Sequence, residues 1–343
     1  MTSHLVRSGR TVVLGDSPVA RGLRAALAVH GHGAGDDLPG AQALVLVGQT
    51  GDFAAVAPRK VAEQRAETAR QVRSAVAAAA AAGVEHVLGI SSAMVDGPAP
   101  DRALVEDLAL APSPDDADVT DQEADPGAAG DLLAFEAALV AAAAEHEVAH
   151  VTVLRPAVLV GPGVDTLLTR HFEAPRILTV RGTRRDWQLV HVDDLGSAVA
   201  VAVGRRLTGV LTVGAVRDGG PDVLSPEEVV ALSGLRAVDL PAAVAFGTAE
   251  RLHRLGVLPA PASDLACTVY PWTVTARRLV DAGWAPTWSS RACLEVLVEQ
   301  TSGRSGVGGR RVARRDAAAL GAAGAAVALL GTAAAWRQAR GRR

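Results

Sequence analysis

The chain has 343 residues, 49% hydrophobic and 21% charged, with a net charge of −3. That is a globular composition, long enough to bury a large core and with no overall electrostatic pull toward nucleic acid. Two cysteines, Cys267 and Cys293, exclude a disulfide framework, and no Cys/His cluster has metal-ligand spacing, so no metal site is expected.

So few cysteines make a reducing cytoplasm the expected compartment, and residues 1–10, with no apolar core followed by a cleavage site, are not expected to be a secretory signal. Residues 11–14 (T-V-V-L) read as a short buried strand, followed by Gly15-Asp16-Ser17-Pro18 and a helix to about residue 30. Ser17 suits the N-cap and Pro18 the first helical position. Residues 31–40 are too short for a strand-helix-strand crossover, so the sheet either lacks an edge or has a loop there. His30 and His32 flank a glycine and read as an exposed turn, because no further ligand is in view.

Residues 43–47 (A-L-V-L-V) form the next buried strand, and Val61, Ala69, Val72 and Val76 recur at helical spacing in a helix over about 58–82. The run 84–90 ends in Ser91-Ser92, which places both serines at the carboxyl end of a parallel strand, where open α/β sheets bind ligands. Residues 96–130 carry an unpatterned acidic run over 115–125 and read as a solvated, mobile loop.

A helix is expected over 131–146, a strand over 150–154 and a last sheet strand over 210–213. Asp193 or Asp194 is expected to cap the helix after Trp187–Leu195, with His191 bonded to the capping carboxylate. Ser225-Pro226-Glu227-Glu228 has the pattern of a capping box.

At the end of the chain, 301–315 is a Gly/Ser/Arg linker and 316–336 an apolar helix. Twenty uncharged residues, 317–336, would reach about 30 Å, the thickness of a bilayer core. They form either a membrane anchor or surface helix, or an Ala-rich helix that is loose or docked on the core. The alternation of strands and helices predicts a doubly wound parallel α/β sheet, Rossmann-like, over 1–215, with a smaller subdomain over 216–300 and the appended helix.

Three stretches carry a family resemblance. V-E-H-V-L-G-I-S-S-A-M-V-D-G at 84–97, L-R-P-A-V-L-V-G-P-G at 154–163 and H-V-D-D-L at 191–195 resemble motifs of the NAD-dependent epimerase/dehydratase family, the extended short-chain dehydrogenases. Those motifs are Ser-Ser-Ala-x-Val-Tyr-Gly, Leu-Arg-Pro-x-Asn-Val-Tyr-Gly-Pro-Gly and His-Val-Asp-Asp-Leu. A Leu-Gly-Trp-x-Pro-like turn at 279–286 extends the likeness to about residues 11–299.

The resemblance implies NAD or NADP held by Gly15, Ser17, Pro18, Val19, Asp37, Leu38, Val47, Gly48, Ser91 and Pro156, with Ser92 as the catalytic serine. Asp96 stands where the first motif has Tyr, and Val158 and Val160 replace the Asn and Tyr of the second.

Departures accompany the likeness. The family's Gly-x-x-Gly-x-x-Gly turn falls on Gly15, Pro18 and Arg21, which removes an N–H and adds a long side chain where pyrophosphate and helix should approach closely. Matching Glu136 to the family's helix Glu puts Ala128 at the catalytic Tyr and Leu132 at the catalytic Lys. Tyr270 is the only tyrosine and Lys60 the only lysine, so no Tyr-x-x-x-Lys pair exists in the chain. Arginine is no substitute, since its pKa above about 12 keeps it charged.

Ser92 as a nucleophile lacks a motif-placed base, His86 and His146 being its only candidates. Arg155, Arg181, Arg184 and Arg185 suit phosphate contacts, with surface solvation their commoner fate. Two readings follow. One is a non-catalytic relative that binds a nucleotide-like or nucleotide-sugar-like ligand, or a partner, in contact with a membrane through 317–336. The other is an atypical NAD(P)-dependent oxidoreductase or sugar-nucleotide epimerase that relies on Ser92 and its cofactor.

Overall fold

The computed structural model describes residues 9–31, 34–35, 37–52, 61–100, 104–107, 127–173, 176–255, 258 and 260–306. Lys60, the acidic run 115–125 and the tail 317–336 lie outside them. Among the described residues no helix is long and apolar enough to cross a membrane.

The first half of the chain alternates strand and helix. It runs β1 (Thr11–Val13), α1 (Pro18–Val29), β2 (Ala34–Gly35), β3 (Ala43–Val47), α2 (Val61–Ala81), β4 (His86–Ile90), α3 (Ala128–Glu145), β5 (His150–Pro156) and β6 (Val158–Val160). There follow α4 (Leu167–Arg170), β7 (Arg176–Val180), β8 (Leu189–His191), α5 (Val192–Gly204) and β9 (Gly209–Val213). Six strands make one sheet in the order β2-β1-β3-β4-β5-β9, and every neighbouring pair is parallel.

Strands β3 and β4 are buried along nearly their whole length because helices cover both faces of the sheet, and His86 is the one polar side chain in them. Alternate strand residues feed two cores: Val13, Val45 and Leu88 point to α1 and α5, while Val12, Leu44 and Val87 point to α2 and α3. The short segment 31–40 keeps a two-residue edge strand, β2, with no crossover helix after it. Helix α1 begins as expected, with Ser17 Oγ accepting from Ala20 N–H and Pro18 in the first turn.

The position that demands a glycine on α1 is Gly22, one residue beyond Arg21, since a Cβ there would lie 2.7 Å from Val192 Cγ2 on α5. Gly196 on α5 meets Ala26 in the same way, at 2.4 Å. This pair of small residues is what lets α1 and α5 pack closely.

After β9 come a hairpin, β10 (Val216–Arg217) and β11 (Gly220–Pro221), then α6 (Pro226–Ser233) and β12 (Arg236–Leu240). The chain continues through α7 (Ala242–Arg254), α8 (Ala262–Val269), α9 (Arg277–Asp281) and α10 (Ser290–Gly306), the last extending into the segment read as linker. Ser225 and Glu228 form the expected capping box on α6. Strand β12 pairs in parallel with β7 beside α7 and α8, around a separate core of Leu178, Val180, Leu240, Ala245, Leu252 and Val269.

Candidate functional site

Ser91 and Ser92 follow β4 at the carboxyl end of the sheet, both fully buried. Gly48 and Gln49, just past β3, donate their N–H groups to Ile90 O at 2.8 and 3.1 Å, and Ser91 N–H donates to Leu154 O at 2.8 Å. Ser92 is extended and caps a single 3-10 turn, Ala93–Asp96, its Oγ accepting from Met94 N–H at 3.4 Å. Gly97 ends the turn at φ 70°, a conformation glycine adopts without strain. Ser91 Oγ has no hydrogen-bond partner among the described residues.

The turn delivers Asp96 to Arg155, at the end of β5. Arg155 Nη1 donates to Asp96 Oδ1 at 2.8 Å, while Nε and Nη2 donate to Glu136 Oε1 and Oε2 on α3 at 3.0 and 2.6 Å. Burial works against the cation, but the hydrogen bonds and charge of Glu136, with those of Asp96, outweigh it and hold the Arg155 pKa above its ordinary value. Arg155 is therefore neither solvated nor open to a phosphate.

Arg185 is also buried. Its Nη1 donates to Cys267 O and, at 3.0 Å, to Tyr270 O, while its guanidinium lies 3.8 Å from the Trp187 ring centre. No carboxylate pairs with it among the described residues, and burial pushes its pKa down to about 9, Cys267 opposing the shift. Only Arg181 and Arg184 meet the surface expectation, paired with Asp239 at 3.3 Å and Glu227 at 3.2 Å.

Helix α3 begins at Ala128, with Leu132 buried one turn on. Gly127 offers no side-chain cap. Asp264 of α8 supplies one instead: Ala128 N–H donates to its Oδ1 and Oδ2 at 3.0 and 3.2 Å, and Asp264 is only 4% exposed. The two residues are 136 positions apart, and no local pattern linked them.

The first turn of α1 has its N–H groups accounted for. Pro18 has none, Val19 N–H donates to Thr50 O at 3.2 Å, Ala20 N–H to Ser17 Oγ at 3.1 Å and Arg21 N–H to Ser17 O at 2.9 Å. Arg24 reaches back to Val13 O and Gly15 O beneath the turn, and Arg21 pairs with Asp16 at 3.3 Å. Gly15 holds φ 91° there. Asp37 is exposed and Leu38 packs on the core beside α2. Pro156 ends β5 opposite Val213, and Val47 ends β3 opposite Ile90.

The cap on α5 differs from expectation. His191, not Asp193 or Asp194, is the N-cap, its Nδ1 accepting from Asp193 N–H at 3.3 Å, with Asp193 Oδ2 3.1 Å away. Asp194 instead accepts from Thr287 N–H, Thr287 Oγ1 and Trp288 N–H, each at 2.9 Å, tying α5 to the segment before α10. His191 stacks on Trp288 with ring centres 4.1 Å apart. Burial lowers its pKa, against the pull of Asp193 and Asp194. No group of three metal-ligating side chains occurs among the described residues.

No protein-family profile matches the sequence, and no curated protein does. Solved structures do. UDP-N-acetylglucosamine 4-epimerase from Bacillus cereus aligns with 86% of this chain and 99% of its own, at 11% identity and a TM-score of 0.55. MoeE5, solved with UDP-glucuronic acid and NAD, aligns over 87% of this chain and all of its own, at 20% identity and 0.56. The human epimerase family protein SDR39U1, solved with NADPH, aligns over 84% and 99%, at 16% identity and 0.51.

The chain has the fold of these proteins, two of which are named as epimerases or epimerase family members. In an epimerase fold a dinucleotide's pyrophosphate meets free N–H groups at the first turn of the first helix. Here Pro18 lacks one and Val19, Ala20 and Arg21 have theirs engaged, so the residues present do not fit that group.

Proposed function

We propose that this chain is a non-catalytic protein on the epimerase fold, one that recognises a nucleotide-like small molecule, by class a nucleotide sugar, without moving a hydride or a proton on it. What supports the reading is the start of α3: in a chain whose only tyrosine is Tyr270 and only lysine Lys60, the family resemblance matches Ala128 and Leu132 to the Tyr and Lys positions. Neither side chain transfers a proton, and proton transfer requires an ionisable group within hydrogen-bond reach of the substrate. Among the described residues, Asp264 holds the α3 N-terminus, and Asp96 and Glu136 hold Arg155.

The competing oxidoreductase reading needs a Ser92 hydroxyl that a substrate oxygen can reach. Ser92 is 0% exposed and its oxygen accepts from Met94, which disfavours that reading. The ligand class is supported by likeness to MoeE5, solved with a UDP-sugar.

The test is incubation of the full chain with UDP-glucose or UDP-N-acetylglucosamine and NAD, with calorimetry for binding and chromatography for products. Binding without a new sugar product is the expected result. Turnover that disappears in Ser92→Ala would overturn the non-catalytic reading, and absence of any UDP-sugar binding would overturn the ligand class.

A further inference from the structure

The carboxyl end of the sheet is strapped by the chain itself. Beyond the bond from Val19 N–H to Thr50 O, Gly51 lies buried at φ 69°, and a Cβ there would come 2.8 Å from Val19 Cγ2 and 3.3 Å from Val164 Cγ1. Glycine is the one residue that fits this space at this dihedral. Gly51 O in turn accepts from Asp165 N–H at 2.8 Å, and Asp52 makes a parallel bridge with Asp165.

Asp165 is itself anchored, by Arg170 at 2.7 and 2.6 Å. Val164 N–H donates to Gly161 O at 3.1 Å, and Gly161 packs against Val192 at the start of α5 so closely that a Cβ would stand 2.5 Å away. A continuous packed path therefore runs from the end of β3, across the first turn of α1, to the turn after β6 and on to α5.

A helix N-terminus facing an open groove attracts an anion, because its first N–H groups lack partners. Here a backbone carbonyl supplies that partner from within the chain. A pyrophosphate would have to break the bond from Val19 to Thr50 and lift Gly51 from between Val19 and Val164.

We propose that residues 49–52, held by the turn at 161–165, take in cis the place that a dinucleotide's pyrophosphate occupies on the epimerase fold. The chain keeps this end of its sheet closed with no dinucleotide bound. The proposal rests on the reading above and narrows it: the nucleotide-like ligand is not a dinucleotide.

Residue-resolved hydrogen exchange on the full chain tests this, with and without NAD, NADH, NADP or NADPH at about 1 mM, a level at which a micromolar site would be filled. Without nucleotide, the Val19 and Asp165 amides should exchange at least about tenfold more slowly than unstructured amides. Adding any of the four should change neither rate. An unprotected Val19 amide, or one whose exchange slows when a dinucleotide is added, would overturn the proposal. Dinucleotide protection without sugar turnover would leave the non-catalytic reading standing, whereas sugar turnover would remove that reading by itself.

Discussion

Replacing Arg155 with methionine removes the cation at the centre of the site and leaves two carboxylates facing each other. The guanidinium makes three hydrogen bonds, and the side chains of Arg155, Glu136 and Asp96 are 9%, 9% and 12% exposed. Breaking a buried ion pair by deleting one partner costs about 3–5 kcal/mol, because the charge left behind has neither water nor a counter-ion. Arg155→Met should therefore lose about 3–5 kcal/mol of stability in urea unfolding at neutral pH. The double variant Arg155→Met with Glu136→Gln should recover part of that loss, since one stranded charge is gone. Arg155→Lys should fall between, as a lysine keeps the charge but not the fork that spans both carboxylates. If Arg155→Met unfolds within about 1 kcal/mol of the parent, as an exposed pair would, the cluster is not the buried structural clamp described here.

Other consequences are as open to measurement. His86, pushed down to about 4 from 6.5 by burial, His150 and Arg206, is neutral in the fold. The unfolded chain takes up that proton first, so stability present above pH 6.5 should be lost as pH falls toward 4, by about 2 kcal/mol between pH 7.5 and 5. His171, lowered to about 3 by burial and Arg185, adds in the same direction. His86→Gln should give a shallower pH profile in urea unfolding, and an unchanged slope would contradict the assignment. Asp264→Ala should cost about 1–2 kcal/mol, a lost N-cap, with faster amide exchange at the start of α3. Both cysteines are buried, and burial with the charges of Asp194 and Asp222 drives the Cys293 thiol up to about 12. A thiol reagent at pH 8 should label neither cysteine in the folded chain and both in guanidinium, and native labelling of Cys293 would refute its placement.

Much of the architecture was legible before any coordinates. The runs at 43–47 and 87–90 are apolar because both faces of a parallel sheet are covered, and they lie in strands β3 and β4. Ser17 with Pro18 and Ser225 with Glu228 marked helix starts through bonds that span only three residues, so they could be read from spacing. The absence of a Tyr-x-x-x-Lys pair needed only a count of residue types.

The state of the site was not legible in that way. Arg155 looked like a phosphate contact until α3 and the turn after β4 brought Glu136 and Asp96 to it. His191 takes the cap, while Asp194 bonds Thr287 and Trp288, nearly a hundred residues on. The same holds for Asp264 at Ala128 and for Thr50 at Val19. Residue inventory and short-range periodicity decide which elements form and which side chains are missing. Whether a buried donor or acceptor is spent depends on partners far away in the chain, and only folding brings those partners within about 3 Å.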